Sequence, residues 1–268
     1  MKKLLCGVVV GIIVTCGPLA AESKIMTWKV DGVERQAIVY PPSDKAAGGK
    51  APLVLAFHGH GDDAGNFQGV GIHKRWAQAI VVYVEGLPSP RDGAAGWQGE
   101  KGQDGDRDLK MVDQLLAGLR EQYRVDDTRV FSTGFSNGAN FTYLLWAERP
   151  KVFAAFAPVA ARIRPSMHFT VPKPVFHTGG TADRQIYFAD QKEAIEAARQ
   201  ANGATGKGES CGPLCTLYAS GLSGSKPGAP VMTLIHNGGH VYPLETSQMI
   251  VDFFRKYALA SPSGQQHD

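Results

Sequence analysis

Cysteine is scarce in this chain of 268 residues: four in all, two of them, Cys6 and Cys16, near the start. The remaining pair, Cys211 and Cys215, is separated by Gly212-Pro213-Leu214. Two thiolates are half of a four-cysteine zinc site, and three intervening residues are one more than in the usual redox pair, so neither chemistry is indicated. In an oxidising compartment the spacing predicts a local disulfide that pins a loop, because so short a ring removes little chain entropy. An excess of charge of one sign is also lacking. The 28 Lys and Arg against 25 Asp and Glu give a net +3, and the bases are scattered. Neither nucleic acid nor an anionic membrane is therefore expected as a partner. Internal repeats are absent, and no apolar run beyond residue 20 is long enough to cross a bilayer.

The apolar run at the start has another explanation. Met1-Lys2-Lys3, the apolar stretch Leu4 to Val14 and the small residues up to Ala21 read as a secretory signal peptide cleaved near Ala20 or Ala21. A lipid attached at Cys16 is a poorer fit, since Ile13-Val14-Thr15 precede it where small residues are needed. The expected organisation is a leader over 1–21, one catalytic domain over 22–260 and a tail over 261–268. The mature protein is expected outside the cytoplasm.

After the leader the chain alternates strand-like and helix-like patterns. Met26 to Val30 and Arg35 to Tyr40 flank Asp31-Gly32, as in an edge hairpin. Pro52 to His58 and Ala79 to Gly86 are continuous apolar runs closed by polar or glycine residues, as expected of strands covered on both faces, with a short helix over His73 to Gln78 between them. Gly86 to Gly105 shows no period and is expected to be a long loop. Apolar residues from Leu109 to Tyr123 repeat at helical spacing, and further strands are expected over Thr128 to Thr133, Phe153 to Ala160, Lys173 to Thr178 and Val231 to His236. Helices are expected over Ala139 to Glu148, Tyr187 to Arg199 and Thr246 to Ala258, and a glycine-rich surface excursion over Arg199 to Cys215. This is an α/β chain with a mostly parallel sheet and helices on both faces.

Gly134-Phe135-Ser136-Asn137-Gly138 lies between one of those strands and one of those helices. That context fits a nucleophile elbow, in which a serine is raised on a sharp turn and glycines let neighbouring backbone approach. A serine hydroxyl needs a base, and the base works best when a carboxylate fixes its tautomer. In this architecture the acid and then the histidine follow the serine. Asp183 ends Gly179-Gly180-Thr181-Ala182 after one strand, and His240 ends Asn237-Gly238-Gly239 after another. Asp190 is a rival acid, but a helical position makes it a solvated face residue. His177 and His236 lie within strands, and His73 and His168 have no glycine loop to free them. The Asn137 N–H at a helix start can receive an oxyanion, and His58-Gly59-His60-Gly61 offers the His60 N–H as a second donor, or else is only a glycine turn. Trp97 is either a substrate-contacting aromatic or an anchor for the long loop. Asp104, Asp106 and Asp108 open like a calcium loop, but Leu109 and Leu115 occupy the later glycine and glutamate positions, so they read as a helix N-terminus and no metal is expected.

Taken together, His58-Gly59-His60-Gly61, the run Asp126 to Gly138, Gly180-Thr181-Ala182-Asp183 and Gly238-Gly239-His240 resemble the secreted polyhydroxybutyrate depolymerase and feruloyl esterase group of α/β hydrolases. The resemblance implies an α/β-hydrolase fold and a cofactor-independent ester hydrolase. It implies Ser136 as nucleophile, His240 as base and Asp183 as acid. A serine peptidase of the same fold, or a silent binding protein that keeps it, are the alternatives.

Overall fold

The computed structural model describes residues 22–43, 49–221 and 229–259. The expected leader over 1–21 and the tail over 261–268 lie outside the described residues. Among these, twelve strands and six α-helices alternate along the chain. The strands are β1 Lys24–Val30, β2 Val33–Tyr40, β3 Ala51–Phe57, β4 Ile80–Val84, β5 Leu87–Pro88, β6 Ala95–Gly96, β7 Val125–Phe135, β8 Ala155–Val159, β9 Val175–Gly180, β10 Glu209–Gly212, β11 Cys215–Tyr218 and β12 Val231–His236. The helices are α1 Ala64–Phe67, α2 Ile72–Arg75, α3 Arg107–Gln122, α4 Asn137–Glu148, α5 Phe188–Ala201 and α6 Thr246–Phe254.

Ten strands form one sheet in the order β1-β2-β4-β3-β7-β8-β9-β12-β11-β10. The inner six, β4 to β12, run parallel, and an antiparallel hairpin closes each edge. Parallel strands need both faces covered, which explains why β3, β4 and β8 are buried at every position. The two faces are read off with period two along β3. Leu53, Leu55 and Phe57 join the core beneath α3, α4 and α5, whereas Val54 and Ala56 join the core beneath α1, α2 and α6. Successive parallel strands leave their C-terminal ends on one edge of the sheet, which brings the loops after β3, β7, β9 and β12 together.

Several elements differ from the sequence expectation. The apolar residues of Thr246 to Ala258 continue past the helix, but α6 stops at Phe254, whereas α2 is only four residues long and is preceded by a second short helix, α1. The long loop is not wholly irregular, because Leu87 and Pro88 pair with Gly96 and Ala95 in a small hairpin. The excursion after α5 also becomes sheet. β10 pairs with β11, and β11 pairs with β12. Cys211 and Cys215 are disulfide-bonded across that hairpin's turn, with Cα atoms 5.1 Å apart. No helix among the described residues is long and apolar enough to cross a membrane.

Candidate active site

Ser136 stands where β7 turns into α4, with φ 54° and ψ −116°. Such a conformation costs a non-glycine residue about 1–3 kcal/mol and persists only where its surroundings fix it. Those surroundings are backbone. The Ser136 N–H donates to the Val159 carbonyl at 2.9 Å, and its own carbonyl accepts from Ala139 and Asn140 at the start of α4. The flanking glycines are required by space rather than by torsion. A Cβ on Gly134 would lie 2.5 Å from the Gly138 carbonyl, and one on Gly138 would run into the carbonyls of Phe57 and His58. β3, β7 and α4 thus meet with no room for a side chain.

The loops that carry Asp183 and His240 are laced together in the same way. Thr181 and Ala182 N–H donate to the carbonyls of His236 and Gly238, and a Cβ on Gly180 would lie 2.5 Å from the Gly238 carbonyl. This fixes Asp183 against His240, with His240 Nδ1 donating to Asp183 Oδ2 at 2.7 Å. Asp183 is buried, and its carboxylate is fully engaged. Oδ1 accepts from the N–H groups of Gln185 and Ile186, and Oδ2 accepts additionally from Gln191 Nε2 at 3.0 Å. These donors replace the water that a buried carboxylate loses. Gln191 was not signalled by the sequence, since a glutamine on a helix reads as surface. It is buried on α5 and also holds the Ile186 carbonyl at 2.8 Å. The His240 ring packs at 4.8 Å from that of Phe135, beside Ser136.

The other candidates fall into place around this arrangement. Asn137 begins α4, so its N–H has no intrahelical acceptor. The His60 backbone lies in the turn after β3, while its ring faces outward to Asp92, 3.0 Å away. His58 is buried; its Nδ1 donates to the Gly59 carbonyl and its Nε2 accepts from the Gly86 N–H, which ties the two loops after β3 and β4. Trp97 anchors the long loop. Its indole N–H donates to the His58 carbonyl at 2.9 Å, its ring stacks on Phe141, and its backbone exchanges hydrogen bonds with the Asn137 side chain. The ring belongs to the core and holds the loop against the elbow helix, and Trp97 also lines the cleft that contains Ser136.

The rivals lie apart. His73 and His177 are buried against the hydroxyls of Tyr83 and Tyr143, and burial lowers each to about 4. His236 Nδ1 accepts from the Gly238 N–H, a role in shaping the base loop. Asp190 sits in the first turn of α5. The acidic run is absorbed by the long loop. Asp106 Oδ1 accepts from Gly102 N–H and Gln98 Nε2, while Asp108 takes Gln98 N–H on one oxygen and buried Arg35 on the other.

Two hollows flank the elbow. A cleft of about 410 Å³ is lined by Ser136, Asn137, His60, Trp97 and a set of arginines, together with Ile163 and Ile186. A second groove of about 360 Å³, lined by Phe67, Val70, Phe135, Tyr242 and Leu244, is mostly apolar.

A family model described as esterase PHB depolymerase matches residues 35–191, more than half of the chain and inclusive of the elbow and Asp183. The chain belongs to that family. It is 28% identical over 198 residues to the bifunctional acetylxylan esterase/xylanase XynS20E of Neocallimastix patriciarum, a match covering 71% of this chain but only 28% of that longer protein. It is 22% identical over 245 residues to feruloyl esterase D of Neurospora crassa, covering 84% of this chain and 80% of that one. The fold of this family member is that of the α/β hydrolases. An acetyl xylan esterase from Aspergillus awamori superposes with a TM-score of 0.65 at 16% identity, over 87% of this chain and 99% of the other.

Proposed function

We propose that the chain is a serine carboxylic-ester hydrolase that works through an acyl-enzyme. The observation that carries this reading is the Asp183–His240 pair at 2.7 Å beside a serine held on a strained strand-to-helix turn. Ser136 Oγ attacks the ester carbonyl while His240 Nε2 takes its proton. Asp183 keeps the other ring proton on Nδ1 and stabilises the imidazolium. The Asn137 and His60 N–H groups receive the oxyanion. His240 then protonates the departing alcohol, leaving the acyl group on Ser136. Water, deprotonated by the same imidazole, releases the acid in a second passage over the same donors. The chain's own groups supply each proton transfer. Its substrates belong to the ester classes of its relatives, hydroxyalkanoate or feruloyl-type esters. Secretion agrees with the Cys211–Cys215 disulfide, which an oxidising compartment maintains.

A fluorophosphonate probe separates an activated serine from a silent fold, and p-nitrophenyl esters set against aminoacyl anilides separate esterase from peptidase. Labelling lost in Ser136→Ala, with ester turnover and little anilide turnover, is expected. Failure of the wild-type protein to label, or a preference for anilides, overturns the reading.

A further inference from the structure

The cleft beside Ser136 is unusual in its charge. Four arginines line it, Arg91, Arg107, Arg162 and Arg164, against a single carboxylate, Asp104. Two of the four are already engaged. Arg91 pairs with Asp92 at 2.9 Å, and Arg107 donates to the carbonyls of Leu87 and Pro88 and lies 3.4 Å from Asp108. Arg162 and Arg164 are not. Among the described residues neither guanidinium has a hydrogen-bonded or ion-paired acceptor.

Both are nevertheless placed by the elbow's own scaffold. They follow β8, whose last residue Val159 accepts the Ser136 N–H. The Arg162 N–H donates at 2.8 Å to the side chain of Asn140, one turn after Ser136 on α4. The Arg164 side chain lies along the long loop, where a Cβ on Gly99 would meet its Nε at 3.7 Å. Arg162 is half-buried and Arg164 exposed. Two unpaired guanidiniums on a wall tied to the nucleophile, beside oriented backbone N–H groups, form a positive hollow that attracts an anion and suits a planar carboxylate.

We infer that Arg162 and Arg164 form an anion subsite in the cleft beside Ser136, and that the ester hydrolysed there carries a free carboxylate. The inference rests on the ester-hydrolase reading above and narrows its substrate class to acidic esters. Such a carboxylate is supplied by the terminus of a short hydroxyacid oligomer or by an acidic sugar that bears an acyl group.

The test compares paired substrates at low ionic strength: a linear 3-hydroxybutyrate trimer against its terminal carboxamide, and an acetylated methyl galacturonoside against the corresponding acetylated methyl galactoside. In at least one pair the anionic member is expected to lead in kcat/KM by about tenfold or more, with the lead shrinking as salt is raised. The pair that shows it identifies the source of the carboxylate. Arg162→Gln/Arg164→Gln is expected to bring that ratio close to one, and Arg162→Lys/Arg164→Lys to restore part of it. Equal rates within both pairs, or a ratio the double glutamine variant does not alter, overturn the subsite while ester turnover leaves the hydrolase reading standing. If no ester is turned over, that reading fails, and calorimetry of the trimer acid on Ser136→Ala, with and without the glutamine changes, still decides the subsite. Binding lost with the arginines supports it, and no binding overturns it.

Discussion

The two hollows beside the elbow are built from neighbouring residues and yet have opposite chemistry. Ser136 lines one, with arginines and backbone donors, and Phe135 lines the other, with Phe67, Tyr242 and Leu244. Phe135 packs against the rings of His240 and Tyr242, so one side chain both supports the His240 ring and forms a wall of the apolar groove. In the proposed reaction a substrate lying across Ser136 would meet arginines in one direction and apolar side chains in the other. Selectivity in such a site comes from which end of the ester is polar rather than from overall size.

The largest effect expected is the loss of the centre that both hollows serve. Ser136→Ala and His240→Ala should each lower kcat by about 10³-fold or more, and the double variant should lose hardly more, because the members act as a unit. Asp183→Asn should lower kcat by a comparable factor while thermal unfolding stays close to wild type, since Gln185 and Ile186 N–H keep an oxygen to bind. Initial rates on a short p-nitrophenyl ester measure all of these; equal loss in Asp190→Asn alone would move the acid elsewhere.

Next in size is the backbone crossing beneath the elbow. Gly138→Ala drives a methyl into the carbonyls of Phe57 and His58 and should cost about 3 kcal/mol or more, read from urea unfolding. A variant as stable as wild type would show that β3 and α4 can part without penalty.

A smaller effect sharpens the apolar side. Leu244 is 86% exposed and lines the groove. Leu244→Gln should reduce the ratio of octanoate to acetate turnover by about threefold to fivefold, as loss of one partly covered side chain implies. An unchanged chain-length profile would exclude the groove from acyl binding.

The last prediction concerns acid and is seen only when the pH is lowered. Burial holds His177 and His73 at about 4, below the usual histidine value, so the native state stays neutral while the unfolded chain takes up protons below about 6.5. Their contribution is fully present above that value and falls as pH drops toward about 4, at no more than about 1.4 kcal/mol per pH unit for each ring. Melting temperature should fall over that interval, and His177→Gln should flatten the decline. An unaltered slope would show that the ring is protonated in the fold.

What could be read from the chain alone follows from how local the cause is. The serine, acid and histidine loops each follow an apolar strand and carry glycines where other backbone must pass, so their meeting at one sheet edge was legible. The Trp97 ring was not, because whether an aromatic faces outward depends on Phe141 and His58, which lie far away in sequence. β5 and β6 are two residues each, below the length at which any period shows. β10 is exposed throughout and rich in polar residues, so no buried face marked it as sheet. Arg162 and Arg164 look like any solvated arginines until the fold sets them beside Ser136 with no guanidinium partner among the described residues.

The parallel centre of the sheet also has a consequence in time. Its strands cannot pair through tight turns; Phe57 must find Gly134, and β12 must find β9, across long intervening chain. Closing such loops is slow compared with forming the edge hairpins. The serine, the carboxylate and the imidazole arrive on three different strands, the last of them β12. A chain emerging from synthesis or refolding therefore holds Ser136 early as an ordinary alcohol, and reaction with a fluorophosphonate should lag behind helix formation until His240 is docked.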